Sequence, residues 1–145
     1  MKTPVELALR QALLAQLVAV LPRASYVTHP EGETIVTFPA QHPEVGDLLV
    51  RDDGDELVVH IGNLTHRHFG NYDDDLPIDA KAEDIAEQVV EFIRGVVREE
   101  VEFFGNGRGG GSRKRDLNPR GLLSRFLLGQ RTYVWSGPLG GKSDA

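Results

Sequence analysis

The dipeptide Asp53-Gly54 separates two runs of strand-forming residues, and this arrangement constrains the fold more than any other feature of the chain. Asp-Gly between such runs is typical of a two-residue type I′ hairpin turn. Both central residues of that turn take a positive φ, which Gly adopts freely and Asp tolerates better than most residues. With these two residues at the centre, Arg51 faces Glu56 across the strands. The sequence therefore predicts a β-hairpin over about residues 47–61.

The predicted pairing also assigns the hairpin side chains to two faces. Side chains alternate along a strand, and the face that is wholly apolar must be buried: Leu48, Val50, Leu57, Val59 and Ile61. The other face is mainly polar and is predicted to be solvated: Asp47, Leu49, Arg51, Glu56, Val58 and His60. A hairpin with one apolar face is marginal on its own, so we expect helices or further strands to cover that face.

The N-terminal residues carry the signals of a helix. Thr3 and Glu6 have the spacing of a capping box, Pro4 occupies the first helical position, and Pro22 ends the apolar run. A secretory signal peptide that begins at Lys2 is the alternative interpretation. No apolar run in this region reaches the roughly 20 residues of a membrane span.

A second long helix is predicted from about Ala80 to Phe104, capped by Asp79 and ended by Gly105. A first strand is predicted at 33–38, and a short helix and a final strand at about 122–128 and 131–135. We therefore predict a single α+β domain over residues 1–145. It has an antiparallel sheet of three to five strands, with both long helices packed on the same sheet face.

Charge divides the chain into an acidic body and a basic arm. Residues 1–104 carry 20 acidic and 8 basic side chains, whereas residues 105–131 carry 7 basic and 1 acidic. The Gly/Arg-rich stretch at about 105–116 is predicted to be a flexible loop. Its basic residues are the candidates for binding a partner: Arg108, Arg113, Lys114 and Arg115. Nucleic-acid binding by this arm is a further alternative, but no aromatic residue is interleaved for base stacking, so pairing of arm and acidic body is the simpler expectation.

Three of the five histidines, His60, His66 and His68, fall within nine residues, and they are candidate ligands of a divalent metal ion. If the strand continues through residues 62–63, the three imidazoles share one face and Asp73 can add a carboxylate. If residues 62–63 instead form a second tight turn, His66 faces the core and lies away from His60.

No further catalytic pattern is present. The chain has no cysteine, which excludes disulfides and thiol nucleophiles, and it lacks a nucleophile elbow and a dinucleotide fingerprint. We therefore predict a non-enzymatic protein-interaction module that is cytoplasmic and homodimeric and needs neither a membrane nor a cofactor. In architecture, size and acidity it resembles the small acidic chaperones of type III secretion and toxin-neutralising immunity proteins. The alternative is a metal-dependent enzyme that uses His60, His66, His68 and Asp73.

Overall fold

The computed structural model describes residues 2–105, 110–115 and 131–139. Two long helices lie in this part of the chain, α1 (Pro4–Val20) and α2 (Ile78–Val97), with a 3₁₀ turn at Arg23–Ser25. The strands are β1 (Val27–Thr28), β2 (Thr34–Phe38), β3 (Leu48–Asp53), β4 (Glu56–Ile61), β5 (Thr65–Phe69), β6 (Val101–Gly105), β7 (Gly110–Lys114), β8 (Thr132–Val134) and β9 (Gly137–Leu139). The predicted α+β class is confirmed.

The described strands form two antiparallel sheets. Strands β1 to β5 follow one another in sequence order across the first sheet, and the second has the order β7-β6-β8-β9. Both helices pack on one face of the first sheet and against each other, α1 over β3 and α2 over β4 and β5. The opposite face of that sheet carries no helix among the described residues. None of the described helices is long and apolar enough to cross a membrane.

The core lies between the two helices and the inner face of the first sheet, and it includes Phe103 and Tyr133 of the second sheet. Thr3 caps α1 as predicted, since its Oγ1 accepts the backbone N–H of Glu6 at 3.2 Å. Three leucines at successive helical turns of α1 are at most 1% exposed: Leu9, Leu13 and Leu17. The apolar hairpin face predicted from the sequence is also fully buried. The helix predicted at the N-terminus is therefore an integral part of the core.

The hairpin turn lies one residue further along the chain than predicted. Asp53 pairs with Glu56, so Gly54 and Asp55 are the central residues, and Arg51 faces Val58 instead of Glu56. Gly54 has a φ of +68° while Asp55 does not have a positive φ, as expected when Gly occupies the first position of a type II′ turn. The shift moves each pairing by two residues, and the strand period is also two. The faces are therefore as predicted although the pairs are not.

Helix α2 ends earlier than predicted, at Val97 instead of Phe104. Glu99 has a φ of +60°, its N–H donates to Val96, and the N–H of Glu100 donates to the Gly95 carbonyl at 2.8 Å. This is a Schellman ending in which a glutamate occupies the left-handed position that glycine usually takes. The apolar residues beyond it belong to β6.

The Gly/Arg-rich segment contributes a strand to the second sheet. Residues 110–114 form β7, which pairs with β6, so this part of the predicted flexible loop has ladder hydrogen bonds. The predicted final strand is present as β8. The predicted short helix at 122–128 and residues 106–109 lie outside the described residues.

Candidate functional site

The turn between β4 and β5 determines where the histidines lie. Its three residues are 62–64, and it places His60 directly opposite His66 and Val58 opposite His68. Neither predicted alternative describes this turn. The strand does not continue through residues 62–63, and the turn has three residues where the predicted tight turn has two. The third turn residue shifts the pairing of β5 by one residue relative to the predicted tight turn, so His66 and His68 point to the same face as His60. All three imidazoles therefore lie on the outer face of the sheet.

The three imidazole rings form a row across β4 and β5. The rings of His60 and His66 are stacked with their centroids 5.5 Å apart, and the ring of His68 meets that of His66 edge-on at 5.3 Å. His66 and His68 are exposed, whereas His60 is half-buried. The row therefore runs from a partly desolvated end to a solvated end.

His60 occupies the desolvated end of this row. Burial lowers its pKa below the ordinary value of 6.5, and the neighbouring charges of Arg51, His66 and His68 lower the pKa further. Its Nε2 atom is buried and has no hydrogen-bond partner among the described residues. The electrostatic environment thus favours a neutral ring at pH 7.

The solvated end of the row meets two carboxylates. One donor atom from each of Asp53, Glu56 and His68 lies within 4.8 Å of the other two. The Nδ1 of His68 is 3.4 Å from Oε1 of Glu56, and the hydroxyl of Tyr72 donates a hydrogen bond to Oε2 of the same carboxylate. That hydrogen bond is the largest cause of a raised Tyr72 pKa, followed by desolvation and the charges of Glu56 and Asp55. We call Asp53, Glu56 and His68 the hairpin cluster.

Asp53 and Glu56, the two carboxylates of the hairpin cluster, are not among the ligands predicted from the sequence. The signal that identifies them is the turn itself, because Asp53 and Glu56 flank its two central residues and form the last pair of the ladder. On the outer face of β4, Val58 lies between Glu56 and His60. Because Val58 pairs with His68 on β5, His68 is a diagonal neighbour of Glu56 across the two strands.

Asp73, the fourth predicted ligand, lies in the connection between β5 and α2. Its Oδ1 accepts the N–H of Asp75 at 3.0 Å, and its own N–H donates to Asn71 at 2.9 Å. These bonds form successive Asx turns that order the connection. Among the described residues, Asp73 does not belong to a cluster of donor atoms as close as the hairpin cluster.

The predicted partner-binding arm contacts the body of its own chain. Arg113 on β7 lies 2.6 Å from the fully buried carboxylate of Glu102, and its guanidinium stacks over Phe104. The N–H of Arg115 donates to a carbonyl of the connection between α2 and β6. Lys114 is exposed, and Arg108 lies outside the described residues.

A second surface combines acidic and exposed apolar side chains. Residues 71–91, which span the β5–α2 connection and most of α2, carry eight acidic side chains and one basic side chain. Three apolar side chains within the connection and at the start of α2 are exposed, Tyr72 by 69%, Leu76 by 38% and Ile78 by 45%. We call residues 71–91 the acidic surface.

No protein-family model, curated protein or solved structure matches this chain. The function is therefore inferred from the contacts, burial and charge of the chain's own residues.

Proposed function

We propose that this protein is a non-enzymatic interaction module, a chaperone-like or immunity-like binder that holds a basic protein partner on its acidic surface. The observation that supports the proposal is the exposure of Tyr72, Leu76 and Ile78 within a strongly acidic segment. Contacts of this composition suit a partner that presents basic side chains around an apolar patch.

The acidic surface combines long-range attraction with short-range contact. Its excess of seven negative charges lies on one connection and one helix, so their fields add and attract a basic partner. Exposed apolar side chains supply affinity after the encounter, and tyrosine is among the residue types enriched at the centres of protein interfaces. Of the basic residues predicted to bind a partner, Arg113 is engaged with the chain's own Glu102, whereas Lys114 is exposed.

The test uses the full chain as bait in lysate of the source cells, followed by affinity measurements with the purified captured protein. Tyr72→Ala and Leu76→Ala are expected to weaken binding by at least about tenfold each, as for residues at an interface centre. Val27→Ala is the matched control, because Val27 is 54% exposed on β1 and lies outside the acidic surface. Association is expected to slow as salt concentration rises. Equal loss of binding in the control, or association that does not depend on salt, would contradict the proposal.

The proposal includes a homodimer formed through the outward face of α1. Leu7 and Val18 lie on that face three helical turns apart, and they are 45% and 63% exposed. Sedimentation equilibrium of wild type and Val18→Lys tests this. We expect the wild type to be dimeric and the variant monomeric; a monomeric wild type contradicts it.

We also propose a cytoplasmic location, which the absence of cysteine supports, because cytosolic proteins do not depend on disulfides. Fractionation of cells that express the tagged full chain tests it, and recovery outside the cytosolic fraction contradicts it.

A metal-dependent enzyme that uses His60, His66, His68 and Asp73 is the second candidate. The observation in its favour is the row of three imidazoles within 5.5 Å of their neighbours. This candidate predicts that purified protein contains a stoichiometric transition metal, which is lost in His60→Ala and His66→Ala. Elemental analysis of the three proteins decides between this candidate and the interaction module.

A further inference from the structure

We infer that the hairpin cluster is a binding site for a divalent transition-metal ion such as Zn²⁺, with Asp53, Glu56 and His68 as its ligands. This site differs from the imidazole row, since it takes one histidine and two carboxylates from the end of the β3–β4 hairpin. It does not rest on the proposed interaction with a basic partner, although Tyr72 of the acidic surface contacts Glu56.

The distances within the hairpin cluster suit one ion. Zn²⁺ binds carboxylate oxygen and imidazole nitrogen at about 2.0–2.2 Å, so two tetrahedral ligands lie roughly 3.3–3.5 Å apart. His68 Nδ1 and Glu56 Oε1 are already 3.4 Å apart, and a carboxylate oxygen of Asp53 lies within 4.8 Å of a donor atom of each residue. The Asp53 side chain is exposed at the end of its strand, so it has room to change rotamer when an ion binds.

The surroundings of Glu56 support this assignment. The hydroxyl of Tyr72 donates to Oε2 of Glu56, which leaves Oε1 directed at His68. Carboxylate ligands of metal ions are commonly fixed by such hydrogen bonds, which reduce the ordering that must accompany binding. Three protein ligands also leave a fourth position for water or for an additional donor.

The ion type follows from the donor set. An imidazole with two carboxylates binds Zn²⁺ and other first-row divalent ions, whereas Ca²⁺ and Mg²⁺ require oxygen ligands in larger number. We therefore expect Zn²⁺ to bind and Ca²⁺ at the same concentration to bind at least about tenfold more weakly.

The test is calorimetric titration of Zn²⁺ into the full chain, with circular dichroism to verify the fold of each variant. We expect one ion per chain in the wild type and at least about tenfold weaker binding in Asp53→Asn, Glu56→Gln and His68→Ala. Asp55→Asn is the matched control, since Asp55 lies in the same turn and is exposed but is not part of the cluster. Its affinity is expected to equal that of the wild type.

Three results would overturn the inference. The first is the absence of binding to the wild type, which leaves His68 and Glu56 as an ordinary imidazole–carboxylate contact. The second is equal weakening in Asp55→Asn and Asp53→Asn, which indicates diffuse attraction by negative charge. The third is binding that is lost in His60→Ala and retained in Asp53→Asn, which assigns the ion to the imidazole row. The interaction with a protein partner is tested separately by Leu76→Ala, since Leu76 has no part in the hairpin cluster.

Discussion

Replacing Gly62 with alanine is expected to destabilise the protein far more than replacing Gly54, although both residues have a positive φ in a turn of the same sheet. Gly62 has a φ of +50° and Gly54 a φ of +68°. The two positions differ in their surroundings. A Cβ added at Gly62 would lie 1.9 Å from the carbonyl oxygen of Val45, whereas a Cβ added at Gly54 would meet nothing within 4 Å.

The magnitudes follow from these two environments. An L-residue in the left-handed region costs about 1–2 kcal/mol, and this cost applies to both variants. At Gly62 the clash must also move the turn away from the loop before β3, and overpacking of this kind costs about 1–3 kcal/mol. Moving the turn also weakens the hydrogen bond from the Gly62 N–H to the Asp47 carbonyl, and losing such a bond costs about 1 kcal/mol of stability. We therefore expect a loss of about 3–6 kcal/mol for Gly62→Ala and of about 1–2 kcal/mol for Gly54→Ala.

Urea unfolding of both variants and the wild type measures these differences. Gly32→Ala is a second control, because Gly32 has a φ of +89° and open space around it. For a domain of this size, the expected losses correspond to a decrease in Tm of roughly 10 °C or more for Gly62→Ala and about 4–8 °C for each control. A loss at Gly62 no larger than at Gly54 would refute the reasoning, since it would mean that the turn and the loop are not in contact.

Three further predictions concern other parts of the fold. The pKa of His60 is near 6.5 in the unfolded chain and lower in the folded chain, so the contribution of His60 to the free energy of unfolding should decrease as the pH drops below 6.5 and stay constant above it. Replacing His60 with leucine should reduce this pH dependence, which unfolding experiments across that pH range measure. Glu99→Ala and Glu99→Gly both lose the hydrogen bonds that Ser136 donates to Glu99, so they differ mainly in the cost of the positive φ. Glu99→Ala should therefore be less stable than Glu99→Gly by about 1–2 kcal/mol, and equal stability of the two variants would contradict the assigned strain. Arg10 is buried and donates to two carbonyls of the β1–β2 turn, so Arg10→Met should cost about 2–4 kcal/mol, and a loss below about 1 kcal/mol would show that these bonds contribute little.

The helices and the sheet faces were predictable because they depend on periodicity. The cap at Thr3 and the alternation of the hairpin are local signals, and the predicted apolar face is buried. The other face is less solvated than predicted, since Val58 on it is only 1% exposed. The exact pairing was not predictable in the same way. Asp53-Gly54 and Gly54-Asp55 both provide a Gly-containing turn, and the second choice needs a positive φ at only one residue.

The end of α2 and the second sheet were missed for a different reason. The apolar residues of β6 continue the helical spacing of α2, and the residue in the left-handed position is a glutamate, which gives no signal of a helix end. Strand β7 is rich in glycine and basic residues and has weak strand propensity. Its formation depends on pairing with β6, a tertiary contact that periodicity does not reveal.

The histidines of the candidate site were predictable from the sequence, whereas its carboxylates were not. His60, His66 and His68 attract attention in the sequence, but their common face depends on a single additional residue in the turn at 62–64. The carboxylates of Asp53 and Glu56 could be grouped with His68 only after the pairing of three strands was known.

The two sheets differ in how far apart their paired residues are in the chain, and this difference sets an order of assembly. Each strand of the first sheet pairs with its neighbour in sequence, whereas the second sheet pairs Phe103 with Tyr133. Closing a short loop costs less entropy than closing a long one, and local contacts form faster. The meander that carries the imidazoles can therefore form while the chain is still being synthesised. Amide protons of β8 should exchange with solvent sooner than those of β3 and β4.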